Sequence, residues 1–443
     1  MVDNGTGSVE HVKPDPNSFL SYQRKIYGSL RPPLFSTNPS EWPRLAEKRV
    51  SRTNFGYVAG SAGSGSTERA NLAAFDQYRL RQRMLVDVTR RDLSVELFGT
   101  KYPSPILAAP IGVQNLMHRD GEEATARACR DLNIPMILST AATRTIEQVA
   151  EANGEGPRWF QLYWPAPGCD DVTASLLQRA KNNGYTVLVV TLDTFEFAWR
   201  PTDLDTAFTP FIWGEGCQIV HSDPVFNRRY EEQLANDTRS LSEKLNEAVE
   251  LIGWPHSISS AVRIIFNARI LRKSKAWIDT VFPGKYRTWK DLETLKTLWD
   301  GPIVLKGIQT VEDAHMAIEH GMSGIIVSNH GGRQLDGGIA SLDALSDITA
   351  DATVKESGLP ILFDSGIRKG SDIVKALALG AKAVLIGRPY VYGLAIGGEE
   401  GVKHVMKCLL ADTDSVLGNL GKRNIQELSR DDLDIGRRGT SKI

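Results

Sequence analysis

Short, continuous apolar runs recur along the chain from residue 105 onward, and segments with the 3.6-residue period of an amphipathic helix separate most of them. Runs that stay apolar at every position indicate strands covered on both faces, as in parallel sheets. Alternation of such strands with helices predicts an α/β protein, a (β/α)₈ TIM barrel. The eight predicted strands lie at about 105–110, 135–140, 159–164, 186–193, 302–307, 324–329, 360–365 and 383–388.

The spacing of the strands is interrupted once. About a hundred residues separate the fourth strand from the fifth, whereas a βα connection usually needs about 2–6 residues besides its helix. The sequence therefore predicts a long insertion at about 195–300, directly after the carboxyl end of the fourth strand. Such a segment could be a peripheral helical decoration or a cover over the active-site face, and the pattern leaves both interpretations open.

Polar and glycine-rich stretches mark the limits of the predicted domain. Residues 1–17 are predicted to be a flexible N-terminal tail, and 421–443 a C-terminal tail. Residues 18–420 are predicted to form one domain, with an N-terminal helical extension before the barrel. The Gly/Ser-rich stretch 60–66 lacks the GK[ST] ending of a phosphate-binding P-loop, so a loop between helices is the favoured interpretation.

Composition and charge argue against several kinds of partner. Of the 443 residues 41% are hydrophobic and 24% charged, and the formal net charge of −1 gives no sign of nucleic acid or a membrane as partner. The four cysteines are scattered, which argues for a reducing compartment and against a disulfide framework or a zinc site. The sequence Ser441-Lys442-Ile443 resembles a peroxisomal address, so the expected location is cytoplasmic or peroxisomal.

The residues suited to chemistry lie where the predicted strands end, which is where barrels of this kind place their active sites. After the sixth strand the sequence is SNHGGRQLDGG, residues 328–338. His330 can move a proton near neutral pH, and Arg333 offers a planar fork that suits a carboxylate. The glycines permit a left-handed backbone and close approach of a ligand. This stretch indicates an active site, with a glycine-rich structural turn as the alternative.

Three further strand ends carry cationic residues. The stretches FDSGIR at 363–368 and IGRPY at 386–390 follow the seventh and eighth strands, where barrels commonly bind phosphate. Arg368 and Arg388 could add charge-assisted hydrogen bonds to that phosphate, or could form surface ion pairs instead. Lys306 ends the fifth strand after aliphatic residues and needs an anion nearby. That anion could be a flavin that has gained electrons or a structural carboxylate.

Taken together, these motifs resemble the FMN-dependent 2-hydroxy-acid oxidase and dehydrogenase family. The matching stretches are AAP at 108–110, FQLY at 160–163, VTLDT at 190–194, LKGI at 305–308, SNHGGRQLDGG, FDSGIR and IGRPY. The resemblance implies FMN as the cofactor, a small 2-hydroxy acid as the substrate, O₂ as the electron acceptor and a homotetramer. It also implies that His330 is the catalytic base and that Asp193 is its partner.

The same resemblance assigns the binding residues. Those implied for FMN are Pro110, Ile111, Gly112, Ser139, Gln161, Thr191, Lys306, Ser328, Asp364, Ser365, Gly366, Arg368, Gly387 and Arg388. Those implied for the substrate are Tyr57, Tyr163, Arg200, His330 and Arg333. No metal is implied.

Some positions depart from the commoner family pattern and resemble its lactate 2-monooxygenase branch. They are Gly112, Ala141, the FEFAWRP stretch that contains Arg200, and the long insertion. An oxidase would release a 2-oxo acid and H₂O₂, whereas a monooxygenase would decarboxylate the retained pair to a shortened acid, CO₂ and water. The small Ala141 also leaves room for a bulkier substrate. A different FMN barrel enzyme, such as an isomerase, and a catalytically silent flavin-binding protein are the alternative functions.

Overall fold

Eight parallel strands close into a barrel in the computed structural model of the chain, which describes residues 18–240, 242–243, 246, 258–282 and 284–435. The strands of the described chain are β1 (Tyr78–Leu80), β2 (Val95–Leu97), β3 (Thr100–Tyr102), β4 (Ile106–Ala108), β5 (Met136–Ser139), β6 (Arg158–Tyr163), β7 (Leu188–Thr191), β8 (Ile303–Ile308), β9 (Gly324–Val327), β10 (Ile361–Phe363), β11 (Ala383–Ile386) and β12 (Leu433–Ile435). Strands β4 to β11 form the barrel in chain order, and β11 pairs with β4 to close it. The predicted (β/α)₈ barrel is confirmed.

The barrel strands are covered on both faces, as their continuous apolar runs predict. Every residue of β4, β5, β7, β9, β10 and β11 is buried. The register sets the carboxyl ends level, because Ser139 pairs with Gln161 and Thr191 pairs with Lys306. Polar residues that are far apart in the sequence therefore meet at one end of the barrel.

Helices make most of the connections. They are α1 (Ser21–Ser29), α2 (Trp42–Glu47), α3 (Arg52–Ala59), α4 (Ser66–Gln77), α5 (Gly121–Leu132), α6 (Ile146–Asn153), α7 (Asp170–Asn182), α8 (Pro201–Leu204), α9 (Gln218–His221), α10 (Pro224–Ala235), α11 (Ile258–Val281), α12 (Leu292–Leu298), α13 (Val311–Glu319), α14 (Ser341–Ala350), α15 (Ala352–Ser357), α16 (Gly370–Ala378) and α17 (Arg388–Asn419). In the part of the chain that is described, no helix is both long and apolar enough to cross a membrane.

The segments outside the barrel follow the sequence prediction at one end and depart from it at the other. Helices α1 to α4 form the expected N-terminal extension. The predicted C-terminal tail is wrong for residues 421–435, because β12 pairs antiparallel with β1, and Ile425 and Leu433 are buried. A three-residue strand paired across some 350 positions leaves no periodic signal in the sequence. The predicted tail at 1–17 and the Ser441-Lys442-Ile443 signal lie outside the described residues.

The insertion between β7 and β8 reaches over the carboxyl end of the barrel. Arg200, just before α8, lines the same cavity as the strand ends. So do Phe197, Phe211 and Phe282, which come from widely separated parts of the insertion. Of the two interpretations that the sequence left open, the described residues therefore favour a segment that covers the site over a peripheral decoration.

Candidate active site

His330 and Asp193 form a hydrogen-bonded pair at the carboxyl end of the barrel. Nδ1 of His330 lies 2.8 Å from Oδ1 of Asp193, and the hydroxyl of Thr194 lies 3.3 Å from the same nitrogen. Since Nδ1–H donates to the carboxylate, Nε2 is the ring nitrogen that can accept a proton.

The charges around this pair favour a neutral histidine beside an anionic aspartate. Burial lowers the pKa of His330, and Lys306 adds to that effect, so that together they outweigh the opposing effect of Asp193. Burial raises the pKa of Asp193, but His330 and Lys306 outweigh it and hold that pKa well below its usual range. A neutral imidazole backed by a carboxylate is the state that a general base requires.

The loop that carries His330 has a left-handed backbone. Its φ is 57° at His330, 65° at Gly331 and 75° at Gly332. A non-glycine residue in this region costs about 1–3 kcal/mol and persists only where its surroundings hold it. A Cβ on Gly332 would lie 2.6 Å from the backbone nitrogen of Glu68, so glycine is what allows the loop to pack against α4.

Lys306 is a buried cation between two carboxylates, with only 4% of its surface exposed. Its Nζ donates to the Ser328 hydroxyl at 2.9 Å and lies 3.6 Å from Asp364 and 3.8 Å from Asp193. Burial lowers the pKa of Lys306, but these carboxylates outweigh burial and raise it. The structural ion pair anticipated from the sequence is present, and Lys306 also lines the cavity.

Arg333 is aimed by backbone carbonyls. One of its terminal nitrogens donates to the carbonyl of Gly60 at 2.7 Å and to that of Val58 at 3.2 Å. Its guanidinium carbon lies 5.5 Å from the centre of the Tyr57 ring, within the range of a cation–π contact. These contacts fix one end of the guanidinium while the side chain lines the cavity.

Arg200 reaches the same region from the insertion. Its Nε donates to the carbonyl of Arg333 at 2.9 Å, and a terminal nitrogen donates to the side chain of Gln334. Burial, together with the charges of Arg200 and Arg388, lowers the pKa of Arg333 to about 9. Asp203 lies 3.9 Å from Arg200, and a bound carboxylate would add a further counter-charge for the two arginines.

Two tyrosines complete this end of the cavity. Burial raises the pKa of Tyr57 despite the opposing charges of Arg200 and Arg333. Burial, with Asp193 as a further cause, also raises the pKa of Tyr163. Both hydroxyls therefore stay protonated and can donate hydrogen bonds.

Arg388 is more fully committed to protein partners than the sequence suggested. Its nitrogens donate to the carbonyls of Val58 at 3.1 Å, Gly60 at 3.0 Å and Gly331 at 3.0 Å. This side chain thus ties the loop after α3 to the His330 loop, although it also lines the cavity.

Arg368 has fewer partners and is the better-placed cation for an anion. Its side chain donates to the carbonyl of Ile367 at 2.9 Å. Glu68 lies 3.8 Å from Arg368 and 3.4 Å from Arg388, so one carboxylate serves two guanidinium groups. Burial and the charge of Arg388 lower the pKa of Arg368. An additional anion at this end of the cavity would balance the excess positive charge.

One continuous cavity joins these groups. The sequence-predicted site residues that line it are Tyr57, Pro110, Ile111, Gly112, Tyr163, Arg200, Lys306, His330, Arg333, Asp364, Ser365, Gly366, Arg368, Gly387 and Arg388. Among the described residues, in this cavity or outside it, no group of three or more His, Cys, Asp or Glu side chains is arranged to hold a metal ion.

The remaining predicted site residues are Ser139, Gln161, Thr191, Asp193 and Ser328, which do not line the cavity but support residues nearer to it. Gln161 donates to Thr191 at 2.9 Å, and the Ser139 hydroxyl accepts from the backbone nitrogen of Ala141 at 3.2 Å. The functional roles of all these residues stay predictions.

Sequence reasoning missed several groups that the fold brings to the site. Glu68 pairs with both anion-site arginines but lies on a helix of the N-terminal extension without a motif of its own. Phe211 and Phe282 come from the insertion, where no pattern distinguishes them from core residues. Thr194 follows Asp193 directly in the sequence, and that adjacency could have indicated a position near His330.

Part of the cavity is an apolar wall that consists of Phe197, Phe211 and Phe282. The ring of Phe197 lies 4.7 Å from that of Phe282 and 6.0 Å from that of Phe211, centre to centre. Next to this wall, a Cβ on Gly112 would lie only 2.7 Å from Cβ of Ala141. The two small residues that depart from the commoner family pattern therefore lie against each other, and Ala141 occupies the space that a side chain at position 112 would need.

Comparison with known proteins agrees with this architecture. A family described as FMN-dependent dehydrogenase matches residues 46–435. The FMN-dependent alpha-hydroxy acid dehydrogenase qulF of Penicillium citrinum is 44% identical over 94% of this chain and 96% of its own length. An L-lactate oxidase of Lysinibacillus sphaericus is 37% identical over 87% of this chain and 89% of its own. A crystal structure of mandelate oxidase with benzoyl-formic acid shares 29% identity and a TM-score of 0.70, and the match covers 90% of this chain and 98% of that one.

The class defined by fold and site is a (β/α)₈-barrel enzyme with its chemistry at the carboxyl ends of the strands. Within that class, the chain belongs to the FMN-dependent dehydrogenase family. The predicted family, the FMN cofactor and the predicted enzyme class, an FMN-dependent 2-hydroxy-acid oxidoreductase, are confirmed.

The cavity fits FMN on its own geometry. A Cβ at Gly387 would meet only Ile111 and Ala109, at 3.7 and 3.9 Å, and all three residues line the cavity. Glycine there keeps open a space that any side chain would fill. Arg368 would hold the phosphate, and Lys306 would face the part of the cofactor that becomes negative on reduction.

Proposed function

We propose that this protein oxidises 2-hydroxy acids that carry a bulky apolar substituent and passes their electrons to O₂. The main support is that one cavity is lined by His330, Arg333 and Arg200, and that His330 is neutral and hydrogen-bonded to the carboxylate of Asp193. A 2-hydroxy acid presents a carboxylate, a hydroxyl and a substituent, and the cavity offers a matching group for each.

The two arginines would bind the substrate's carboxylate. Arg333 is already oriented by the Gly60 carbonyl, and Arg200 contributes a second cation from the insertion. A carboxylate held between them fixes the position of the α-carbon, and such positioning converts binding energy into rate. The protonated hydroxyls of Tyr57 and Tyr163 can donate further hydrogen bonds to the substrate.

His330 would take the proton. Its neutral Nε2 accepts a proton from the substrate, and the carboxylate of Asp193 stabilises the imidazolium that results. Bound FMN supplies the acceptor for the two electrons that leave the α-carbon. The ammonium of Lys306 contributes a fixed positive charge at this end of the barrel.

The apolar wall would receive the substituent. Phe197, Phe211 and Phe282 offer aromatic surface, and Ala141 occupies little space beside them. A large apolar substituent would bury more surface here than the methyl group of lactate, at about 25 cal/mol per Å².

The fate of the product depends on retention. If the 2-oxo acid leaves before the two electrons reduce O₂, the products are the free 2-oxo acid and H₂O₂. A 2-oxo acid held beside the peroxide would lose CO₂ and give a shortened acid and water. The insertion supplies Arg200 and three phenylalanines to the cavity and is therefore placed to control that release.

The test is to mix FMN-loaded protein anaerobically with glycolate, lactate, a long aliphatic 2-hydroxy acid and mandelate, and to record bleaching of the flavin. We expect the fastest bleaching with the bulky apolar acids. Bleaching by none of the four would contradict the proposal, and fastest bleaching by glycolate would contradict its substrate class. Subsequent admission of air, with assay of H₂O₂, 2-oxo acid and CO₂, distinguishes an oxidase from a monooxygenase.

Assembly and location follow from resemblance alone. We propose a homotetramer, which sedimentation would test. A cytoplasmic or peroxisomal location is proposed from Ser441, Lys442 and Ile443, and import of a reporter that ends in this tripeptide would test it.

A further inference from the structure

One carboxylate holds the 60–66 loop, the Gly/Ser-rich stretch between α3 and α4. Oδ2 of Asp336 accepts from the backbone nitrogen of Ser64 at 2.7 Å and from its hydroxyl at 2.9 Å. Oδ1 accepts from the backbone nitrogen of Ser66 at 2.7 Å and from its hydroxyl at 2.5 Å. Hydrogen bonds from Ser66 and Ser64 hold the pKa of Asp336 well below its usual range. Asp336 lies three positions after Arg333 in the His330 loop, so it joins that loop to the N-terminal extension.

The clamped loop touches the carboxylate-binding end of the cavity. The carbonyl of Gly60 accepts from Arg333 at 2.7 Å and from Arg388 at 3.0 Å. Any displacement of the 60–66 loop therefore moves the acceptor that aims Arg333.

The same loop also meets the His330 loop and the insertion directly. The backbone nitrogen of Ala62 donates to the carbonyl of Gly332 at 2.9 Å, and that of Gly63 donates to the carbonyl of Trp199 at 2.8 Å. Trp199 immediately precedes Arg200. The 60–66 loop is thus a junction between the N-terminal extension, the catalytic loop and the insertion.

We propose that Asp336 is a positioning residue that fixes the 60–66 loop and thereby sets the direction of the Arg333 guanidinium. The inference rests on the proposed function, in which Arg333 binds the substrate's carboxylate. Loss of the clamp would weaken carboxylate binding. It would leave proton transfer intact, because the His330 ring is held by its own bond to Asp193.

The main test is Asp336→Asn. This change removes the negative charge and leaves one side-chain oxygen to accept the hydrogen bonds from Ser64 and Ser66 that two oxygens accept in the wild-type protein. We expect KM for the best 2-hydroxy acid, and Kd for the matching 2-oxo acid, to rise by about 10-fold or more, since small misplacements are costly in such sites. FMN content and the acid limb of the kcat–pH profile should not change. A merely structural role would lower Tm while leaving KM and Kd at wild-type values, and that result would overturn the proposal.

A second variant disturbs the contact between Asp336 and the 60–66 loop by a change in the loop itself. A Cβ on Gly63, where φ is 51°, would lie 2.6 Å from Cβ of Asp336, so Gly63→Ala should displace the carboxylate and raise KM similarly. The matched control is Gly358→Ala, where φ is 66° and no atom lies within 4 Å of the new Cβ. It carries comparable backbone strain without touching the clamp, and a similar rise in KM there would overturn the proposal.

The double variant Gly63→Ala/Asp336→Asn should raise KM no more than the larger single effect, because both changes break one contact set. Fully additive effects would argue against a shared clamp. Should Asp336→Asn fail to fold, Ser64→Ala removes one donor only and should still raise KM measurably. If no 2-hydroxy acid reduces the flavin of the wild-type protein, the proposed function is refuted. If the variants show the KM and Kd of the wild-type protein, only the proposed role of Asp336 is refuted.

Discussion

The barrel and its insertion both line one cavity, but they contribute different kinds of side chain. The barrel contributes charged groups that hold one another, with Lys306 lying between Asp193 and Asp364 and with Asp193 bonded to His330. The insertion contributes mainly aromatic surface and is more exposed, with Phe197 45% accessible and Trp199 74%.

The difference indicates a division of labour. Groups on strand ends are located by the hydrogen-bond ladder to which they belong, so they suit steps that need fixed distances. Groups on a long insertion can change without disturbing that ladder, so they suit selection of the substrate. Substitutions of the charged groups of the barrel should therefore lower catalysis or carboxylate binding, whereas substitutions of the aromatic residues of the insertion should change substrate selectivity.

The largest effect is expected for His330→Ala, which removes the base. Flavin reduction by substrate should fall by about 10²–10⁴-fold or more while FMN stays bound. Stopped-flow reduction under anaerobic conditions measures this. His315→Ala is a matched control, since His315 also pairs with an aspartate at 2.8 Å but does not line the cavity. Near-normal reduction in His330→Ala would exclude this residue as the base.

Arg333→Lys comes next, because a point charge cannot reproduce a bidentate fork. We expect kcat/KM to fall about 10–100-fold, with most of the loss in KM and with unchanged FMN content. Steady-state kinetics on the best substrate, alongside the surface control Arg81→Lys, would measure it. An unchanged KM would remove Arg333 from carboxylate binding.

On the insertion side, Phe211→Ala should change selectivity more than turnover. The ratio of kcat/KM for mandelate over lactate should fall about 10-fold, in line with the 1–3 kcal/mol that small changes in an apolar pocket are worth. Phe266→Ala, exposed on α11 and outside the cavity, provides the control. A uniform loss for both substrates would show that the insertion does not select between them.

The smallest expected effect is a displacement of the pH profile. Because burial lowers the pKa of His330, the base form persists below the usual value of about 6.5, and activity is lost only as pH falls through the lowered pKa. Asp193→Asn removes the group that raises this pKa, so the acid limb of kcat/KM should move further down as the rate drops. An acid limb above pH 6.5 in the wild-type enzyme would contradict this assignment.

Much of the fold and of the barrel half of the site could be predicted from local patterns. Continuous apolar runs place strands that are buried on both faces, and the residues that end them must meet at one rim because parallel strands share a direction. This is why His330, Lys306, Arg368 and Arg388 could be assigned to one end of the barrel from their positions alone.

Only the tertiary structure decided the rest. Four features join segments that are far apart in the chain. They are the pairing of β12 with β1, the lining of one cavity by Phe282 and Arg333, the carbonyl partners of Arg388, and the clamp of Asp336 on Ser64 and Ser66. A sequence pattern indicates which positions are buried and the period at which apolar positions repeat along the chain. It does not record which distant segment provides the partner, because that depends on how the completed elements pack together.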